Sequence, residues 1–304
     1  MKRIKMRLLL ILYLIVQGTV YSLPAYARNV NVTDLLGRRM DIPENPARVV
    51  SLAPNITEIV FALGQSHRLV GVTTYSDYPV EAGTLPKVGS YVHLDLERIV
   101  SLAPDLCLAI KDGNPIAAVS RLESLGIPVY AVDPRNLESV MDAMTRIGGL
   151  LQAGNQARVL VHDMRRRIRA VERLVAKTGD RPGLFWQIGV SPIVSAGTHT
   201  FIHELIVRAG ARNLAQGEIA YPRFSKEQVL GMSPEIIIVT TMARAAVFER
   251  IKQDWHQWAD LPAVKNDRIY LTDSNLFDRP SPRLVDALEI LVRLIHPELF
   301  GEHS

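Results

Sequence analysis

Two kinds of apolar pattern alternate along this chain. Short runs that are apolar at nearly every position begin at Val49 (VVSLA), Leu69 (LVGVT), Leu106 (LCLAI) and Val129 (VYAV). Between them lie NITEIVFALG, DLERIVSL and AAVSRLESLG, each apolar at helical spacing and two of them closed by Gly64 and Gly126. Strands that are apolar throughout and separated by helices belong to parallel sheets covered on both faces. The second half repeats the scheme with LFWQIG, IVSAG, IIIVTT and RIYLT, interleaved with FIHELIVRAG, SKEQVLGM and RLVDALEILVRLI. The pattern predicts an α/β protein with two Rossmann-like lobes, each built on a parallel sheet.

The segment between the halves predicts how the lobes are joined. In residues 152–178, Ala157, Val161, Met164, Ile168, Val171 and Val175 form one apolar stripe at spacings of three and four. Gly179 and Pro182 end the helix. At 1.5 Å per residue, such a helix is a rod of roughly 30–40 Å, long enough to lie across both lobes. Arg158, Arg165, Arg166, Arg169 and Arg173 fall mostly off the stripe and read as its solvated face. The expected domains are therefore residues 28–151, the single long backbone helix at 152–178, and 179–304. A rod packed on both lobes allows little hinge motion, so a ligand cleft between stiffly held lobes is expected.

Residues 1–27 stand apart from this scheme. MKRIKMR is basic, LLLILYLIVQGTV is an apolar run of 13 residues, and Ala25-Tyr26-Ala27 is an A-x-A site, the pattern of a cleavable signal peptide. Cleavage there would leave a periplasmic chain starting at Arg28. The composition changes with it. The full chain has 35 Lys+Arg against 31 Asp+Glu, but Lys2, Arg3, Lys5 and Arg7 leave with the signal, so 31 of each remain. The apparent basicity therefore gives no support for a nucleic-acid partner. The only cysteine, Cys107, lies inside an apolar run, so no disulfide forms within the chain, and no cysteine follows the signal to carry a lipid.

Catalytic signatures are missing: there is no P-loop, no G-x-G-x-x-G after a strand and no G-x-S-x-G elbow. His199 and His203 stand at i, i+4, a spacing that suits a metal, but no further ligand accompanies them and no metal site is expected. Trp255 and Trp258, at i, i+3, read as packing residues on one helical face. One feature resists a purely structural account. LDLERIVSLAPDLCLAI, from Leu94, and FSKEQVLGMSPEIIIVT, from Phe224, superpose at an offset of 130, aligning Glu97 with Glu227 and Pro104 with Pro234. A carboxylate in the first turn favours the helix dipole. That explains one glutamate, not a matched pair on two lobes.

The stretches RVVSLAPNITEIVFALG, VGVTTYSDYP, LERIVSLAPDL, LESLGIPVYAVD and RPSPRLVDAL resemble the periplasmic cobalamin-binding proteins of ABC importers. These belong to the helix-linked (class III) solute-binding family, which also serves iron-siderophores, haem and metal ions. The resemblance runs from about Arg48 to Leu291. It implies a monomer that carries cobalamin or a related corrinoid as cargo, with no cofactor and no catalytic residue, to an ABC permease dimer at the inner membrane. It places the family's two transporter-docking glutamates on Glu97 and Glu227. The aromatic ligand contacts fall on Tyr75, Tyr91, Val194, Tyr221 and Ile110, and an arginine reaching the ligand's polar edge falls on Arg279. Tyr91 and Tyr221 stand where the family commonly has Trp, and Ile110 and Val194 replace aromatic rings. An iron-siderophore or haem carrier is the alternative within the class, with Arg223, Arg244 and Arg279 as its positive charge. An exported enzyme on the same scaffold is the alternative outside it.

Overall fold

The computed structural model describes residues 28–240 and 245–301, and side chains outside 245–248. The signal-like segment and Arg244 lie outside the described residues. The N-terminal lobe opens with an antiparallel hairpin, β1 (Asn29–Thr33) and β2 (Arg39–Pro43). Its sheet follows: β3 (Val49–Ser51), β4 (Leu69–Val72), β5 (Leu106–Ile110) and β6 (Val129–Val132), in the order β4-β3-β5-β6 and parallel throughout. Its helices are α1 (Pro54–Ala62), α2 (Leu96–Ser101), α3 (Ile116–Ser124) and α4 (Leu137–Leu150).

Helix α5 (Gly154–Val175) then leads to the C-terminal lobe. There β7 (Gly183–Gln187), β10 (Arg212–Asn213), β12 (Ile236–Thr240) and β13 (Ile269–Thr272) form a second parallel sheet in the order β10-β7-β12-β13. The helices of this lobe are α6 (Phe201–Arg208), α7 (Lys226–Met232), α8 (Ala245–His256), α9 (Pro262–Lys265), α10 (Ser274–Phe277) and α11 (Leu284–Ile295).

The apolar pattern anticipated most of this, with three corrections. The run IVSAG does not join the parallel sheet: β9 (Ile193–Val194) pairs antiparallel with β8 (Gly189–Val190) and β11 (Arg223–Phe224) in a small separate sheet. The fourth parallel strand is the two-residue β10, too short and too polar to register as an apolar run. Trp255 and Trp258 do not share a helical face. α8 ends at His256, Trp255 is buried with its indole N–H on Gln187 Oε1 at 2.9 Å, and Trp258 is exposed.

Alternation along the central strands divides the interior. Leu106 and Leu108 of β5, and Ile236 and Ile238 of β12, enter one cluster that continues through α1, α4, α5, α6 and α11. Their neighbours Cys107 and Ala109 face an outer cluster under α2 and α3, while Ile237 and Val239 face a matching one under α7 and α8. All six residues of the α5 stripe are buried in the shared cluster. α5 packs on α4 of the first lobe and on α6 and α11 of the second. Arg165 pairs with Glu138 of α4, and Arg167 holds Asp286 at 2.6 Å and Glu289 at 2.7 Å on α11. At about 1.5–3 kcal/mol per buried side chain, the stripe makes the rod a shared core element.

The superposed segments are equivalent in structure. Asp95 and Ser225 cap α2 and α7. Ala103 (φ 43°) and Ser233 (φ 50°) take the left-handed conformation that turns each chain towards its strand. Asp105 then accepts from the backbone N–H of Ala47 and Arg48 at 2.8 and 3.0 Å, and Glu235 from that of Gly183 at 2.7 Å. The acid after each repeated proline therefore secures the start of the neighbouring strand.

Candidate ligand-binding cleft

Both parallel sheets present their carboxyl ends to the space between the lobes, where open α/β sheets place their ligands. The cleft there holds a cavity of about 260 Å³. Tyr75, Tyr91, Ile110 and Pro54 supply the apolar wall of the first lobe, and Phe201, Tyr221, Ala220 and Pro280 that of the second. Tyr75 and Tyr91 meet edge to face, with centroids 6.4 Å apart and planes at 65°.

Close backbone approaches set the aromatic loops. A Cβ on Gly89 (φ +87°) would lie 2.3 Å from the carbonyl oxygen of His93, so the turn carrying Tyr91 requires glycine. A Cβ on Gly197 would lie 2.0 Å from the Ile219 oxygen, where the Tyr221 segment crosses it. Buried Asn114 ties the first wall together. Its Oδ1 accepts from Ile110 N–H, and its Nδ2 donates to the carbonyls of Leu52 and Tyr91, all at 2.8 Å.

Tyr75, Tyr91, Tyr221, Arg279 and Ile110 therefore converge on one cleft. Val194 does not line it; it sits in β9 opposite Gly189 and Arg223. The two histidines do not converge either. His199 stands at the cleft with its Nε2 3.6 Å from Glu218, whereas His203 turns inward, its Nδ1 3.1 Å from Asn213 Nδ2. Burial holds the His203 imidazole below its usual range. Among the described residues no three potential ligands cluster around a metal position.

The arginines lining the cleft are already matched. Arg279 is 10% exposed and donates to Asp77 at 2.7 Å, Glu58 at 3.3 Å, the Tyr75 carbonyl at 2.9 Å and Asn275 at 2.5 Å. Instead of reaching freely into the cleft, it ties the second lobe to the first. Arg283 completes the tie: it grips Glu58 through both oxygens at 2.8 and 2.7 Å and stacks 3.6 Å above the Tyr78 ring. On the other rim, Arg135 pairs with Asp133 at 2.9 Å and Asp112 at 3.2 Å, and its hydrogen bond to Asp133 raises its pKa. Asp133 also holds Lys111 at 3.3 Å. Arg223 is exposed on β11 and does not line the cleft. Burial, then Asp112 and Asp278, pushes the Tyr221 phenol above its ordinary value.

A second tie crosses between the lobes in the reverse sense. Glu204 of α6 accepts from the first backbone N–H of α4, that of Leu137, at 2.6 Å. Glu58 and Arg283 escaped the sequence reading, although a signal for Glu58 was there: an acid in α1, where every residue from Pro54 to Val60 is buried, requires a partner. Asn114 and Asp278 gave no comparable signal, because Leu52, Tyr91 and Thr240, which they meet, lie at least 23 residues away in the chain. Glu97 and Glu227 are exposed in the first turns of α2 and α7, and among the described residues neither pairs with a cation. The backbone N–H at the start of α7 and the Ser225 hydroxyl hold the Glu227 carboxyl below its usual range.

Known proteins share this construction. The Vitamin B12-binding protein of Vibrio cholerae serotype O1 is 33% identical over 248 residues, 80% of this chain and 86% of the relative. The crystal structure of the periplasmic vitamin B12 binding protein BtuF of Vibrio cholerae superposes with a TM-score of 0.72 at 29% identity, over 84% of this chain and 99% of that one. A periplasmic haem binding protein from Pseudomonas aeruginosa superposes at 0.77 and 28%, over 83% and 93%. Among the described residues no helix is long and apolar enough to cross a membrane. Residues 49–276 match the family model described as periplasmic binding protein, and the chain belongs to that family of solute-binding proteins with the helix-linked, class III fold.

Proposed function

We propose that this protein, exported and freed of residues 1–27, captures cobalamin or a related corrinoid in the interlobe cleft and delivers it to an ABC permease dimer at the inner membrane. The observation that carries this reading is the charge balance of the cleft. Among the described lining residues both arginines are already paired with carboxylates, Arg279 with Glu58 and Asp77, and Arg135 with Asp112 and Asp133. A polyanionic siderophore or the two carboxylates of haem would meet no free guanidinium there. A broad ligand edged with neutral amides suits flat tyrosine walls and paired charges. Tyr75, Tyr91 and Tyr221 would stack on it. Arg279 would position Tyr75 through its carbonyl and meet the ligand only at the edge it leaves exposed. The cargo is a transported ligand, not a cofactor, and no side chain acts as a catalyst.

Glu97 and Glu227 would be the two feet of the docking surface. A permease dimer offers the same pocket twice about its two-fold axis. A monomer matches that symmetry by carrying one carboxylate at the same place on each lobe, as the repeat does. The deciding experiment is the absorbance spectrum of protein purified from cells fed cobalamin. A corrin spectrum at about one per chain is expected, and a haem spectrum with no corrin would overturn the reading.

A further inference from the structure

We propose that enclosing a ligand in this cleft takes up a proton at Asp278, making this residue a determinant of which ligands the cleft holds and at what pH; the proposal rests on the cleft being the ligand site argued above. Asp278 follows α10 directly and lines the second-lobe wall. The Thr240 hydroxyl accepts the Trp186 indole N–H at 3.1 Å, which leaves its own proton for the Asp278 carboxyl. The remaining oxygen, Oδ1, is sealed from solvent and has no hydrogen-bond partner among the described residues. Neighbouring Arg279 lends its charge but no hydrogen bond, since its donors are directed to Glu58, Asp77, Tyr75 and Asn275.

Of the surrounding charges, Asp273 favours the neutral acid and Arg279 opposes it, the acid's effect being the larger. Asp273, the N-cap of α10, adds negative potential beside Asp278. Across the cleft stand Asp112 and Asp133, with Arg135 held between them, while the Tyr221 phenol shares the lining and His199 stands at the rim. A partly buried carboxylate with one sealed oxygen unmatched favours its neutral form. Burial, with Asp273 adding to it, pushes this acid up to about 7. A ligand seated against the wall displaces the water in front of it and removes solvation that only the charged form needs. Binding then raises the affinity for the proton, and by linkage the proton raises the affinity for the ligand. Ligand affinity should be highest below neutrality and fall above it. At alkaline pH the wall becomes anionic and repels acidic ligands more than neutral, amide-edged ones.

The test is calorimetric titration of cyanocobalamin, a ligand with no charge change in this range, into the 28–304 protein. At pH 7.5, runs in two buffers of different ionisation enthalpy should show proton uptake, approaching about three-quarters of a proton if the bound form is fully protonated. Kd should be weaker at pH 8.5 than at pH 6.5, by up to about 25-fold if the bound form keeps its proton throughout. Asp278→Asn should take up no proton and show a flat pH profile. Binding by the wild type without proton uptake overturns the proposal while leaving the ligand assignment intact. No binding at any pH overturns the assignment and this proposal with it. Uptake that survives Asp278→Asn but vanishes in His199→Gln moves the proton to the imidazole and also overturns it. Carbon-13 titration of the ligand-free protein gives a reading that needs no ligand: an Asp278 carboxyl titrating below pH 5 refutes the proposal.

Discussion

Replacing Glu58 with Ala should destabilise the whole protein, because this one carboxylate ties the lobes together. Its side chain is 2% exposed, with Arg283 on both oxygens and Arg279 on one. After removal, Arg279 keeps Asp77 at 2.7 Å. Arg283 keeps only the Asn275 carbonyl at 3.0 Å and the Tyr78 ring. The cost therefore falls mainly on one stranded, largely buried guanidinium. Breaking a buried pair by deleting one partner costs about 3–5 kcal/mol. The lower end applies, since Arg283 is 17% exposed and Arg279 retains an acid. About 3 kcal/mol should lower Tm by roughly 6–12 °C in a chain of this size. Urea unfolding and scanning calorimetry of the 28–304 protein would measure both. Glu58→Met combined with Arg283→Met should recover most of the loss, because neither charge is then left buried alone. A Glu58→Ala protein within about 0.5 kcal/mol of wild type would show that this ion cluster contributes little and that the lobes are held by their other contacts.

Stacked aromatic contacts contribute on the order of 1–3 kcal/mol, so Tyr91→Ala and Tyr221→Ala should each weaken cobalamin binding about ten- to a hundredfold by calorimetry. Unchanged affinity in both would place the ligand elsewhere. Reversing Glu97 and Glu227 together to Arg should leave ligand binding near normal and cut uptake sharply in reconstituted vesicles, because each foot would then meet a permease cation with like charge; wild-type transport would reduce the pair to helix-start acids. The Cys107 thiol is buried and, by burial and then Asp105, pushed up to about 12. It should resist thiol reagents at pH 8 until the protein is unfolded in denaturant, and rapid labelling of the native protein would contradict its place under α2 and α3.

The elements that were legible in the sequence are those whose burial leaves a periodic trace. β5 and β12 are covered on both faces and read as unbroken apolar runs, and the α5 stripe is regular because one face meets two lobes. β9 misled because apolarity reports burial but not which sheet a strand joins. β10 has two residues, Arg212 and the buried Asn213, and leaves no trace. In the cleft, the residue types at Tyr75, Tyr91, Tyr221 and Arg279 were found, but the direction of Arg279 was not, because it depends on Glu58 and Asp77 more than 200 positions away.

The duplication explains both the fit and the misfit. Glu58 on α1 meets Arg283, the N-cap of α11, while Glu204 on α6 meets the first N–H of α4. Each lobe's first helix thus sends a glutamate to the start of the other lobe's last long helix, just as each copy of the repeat points a glutamate to solvent. The two lobes differ in the chain between these points. Glu58 and Glu97 are 39 residues apart, but Glu204 and Glu227 only 23. The additional chain of the first lobe lies in the segment that contains β4 and the turns bearing Tyr75, Asp77, Tyr78 and Tyr91. Symmetric parts of the fold clasp the lobes and, in the proposed docking, would face the permease. The asymmetric segment supplies the tyrosines of one cleft wall and Asp77, the acid that helps turn Arg279 away from the ligand space, so selectivity can change there without disturbing the matched feet.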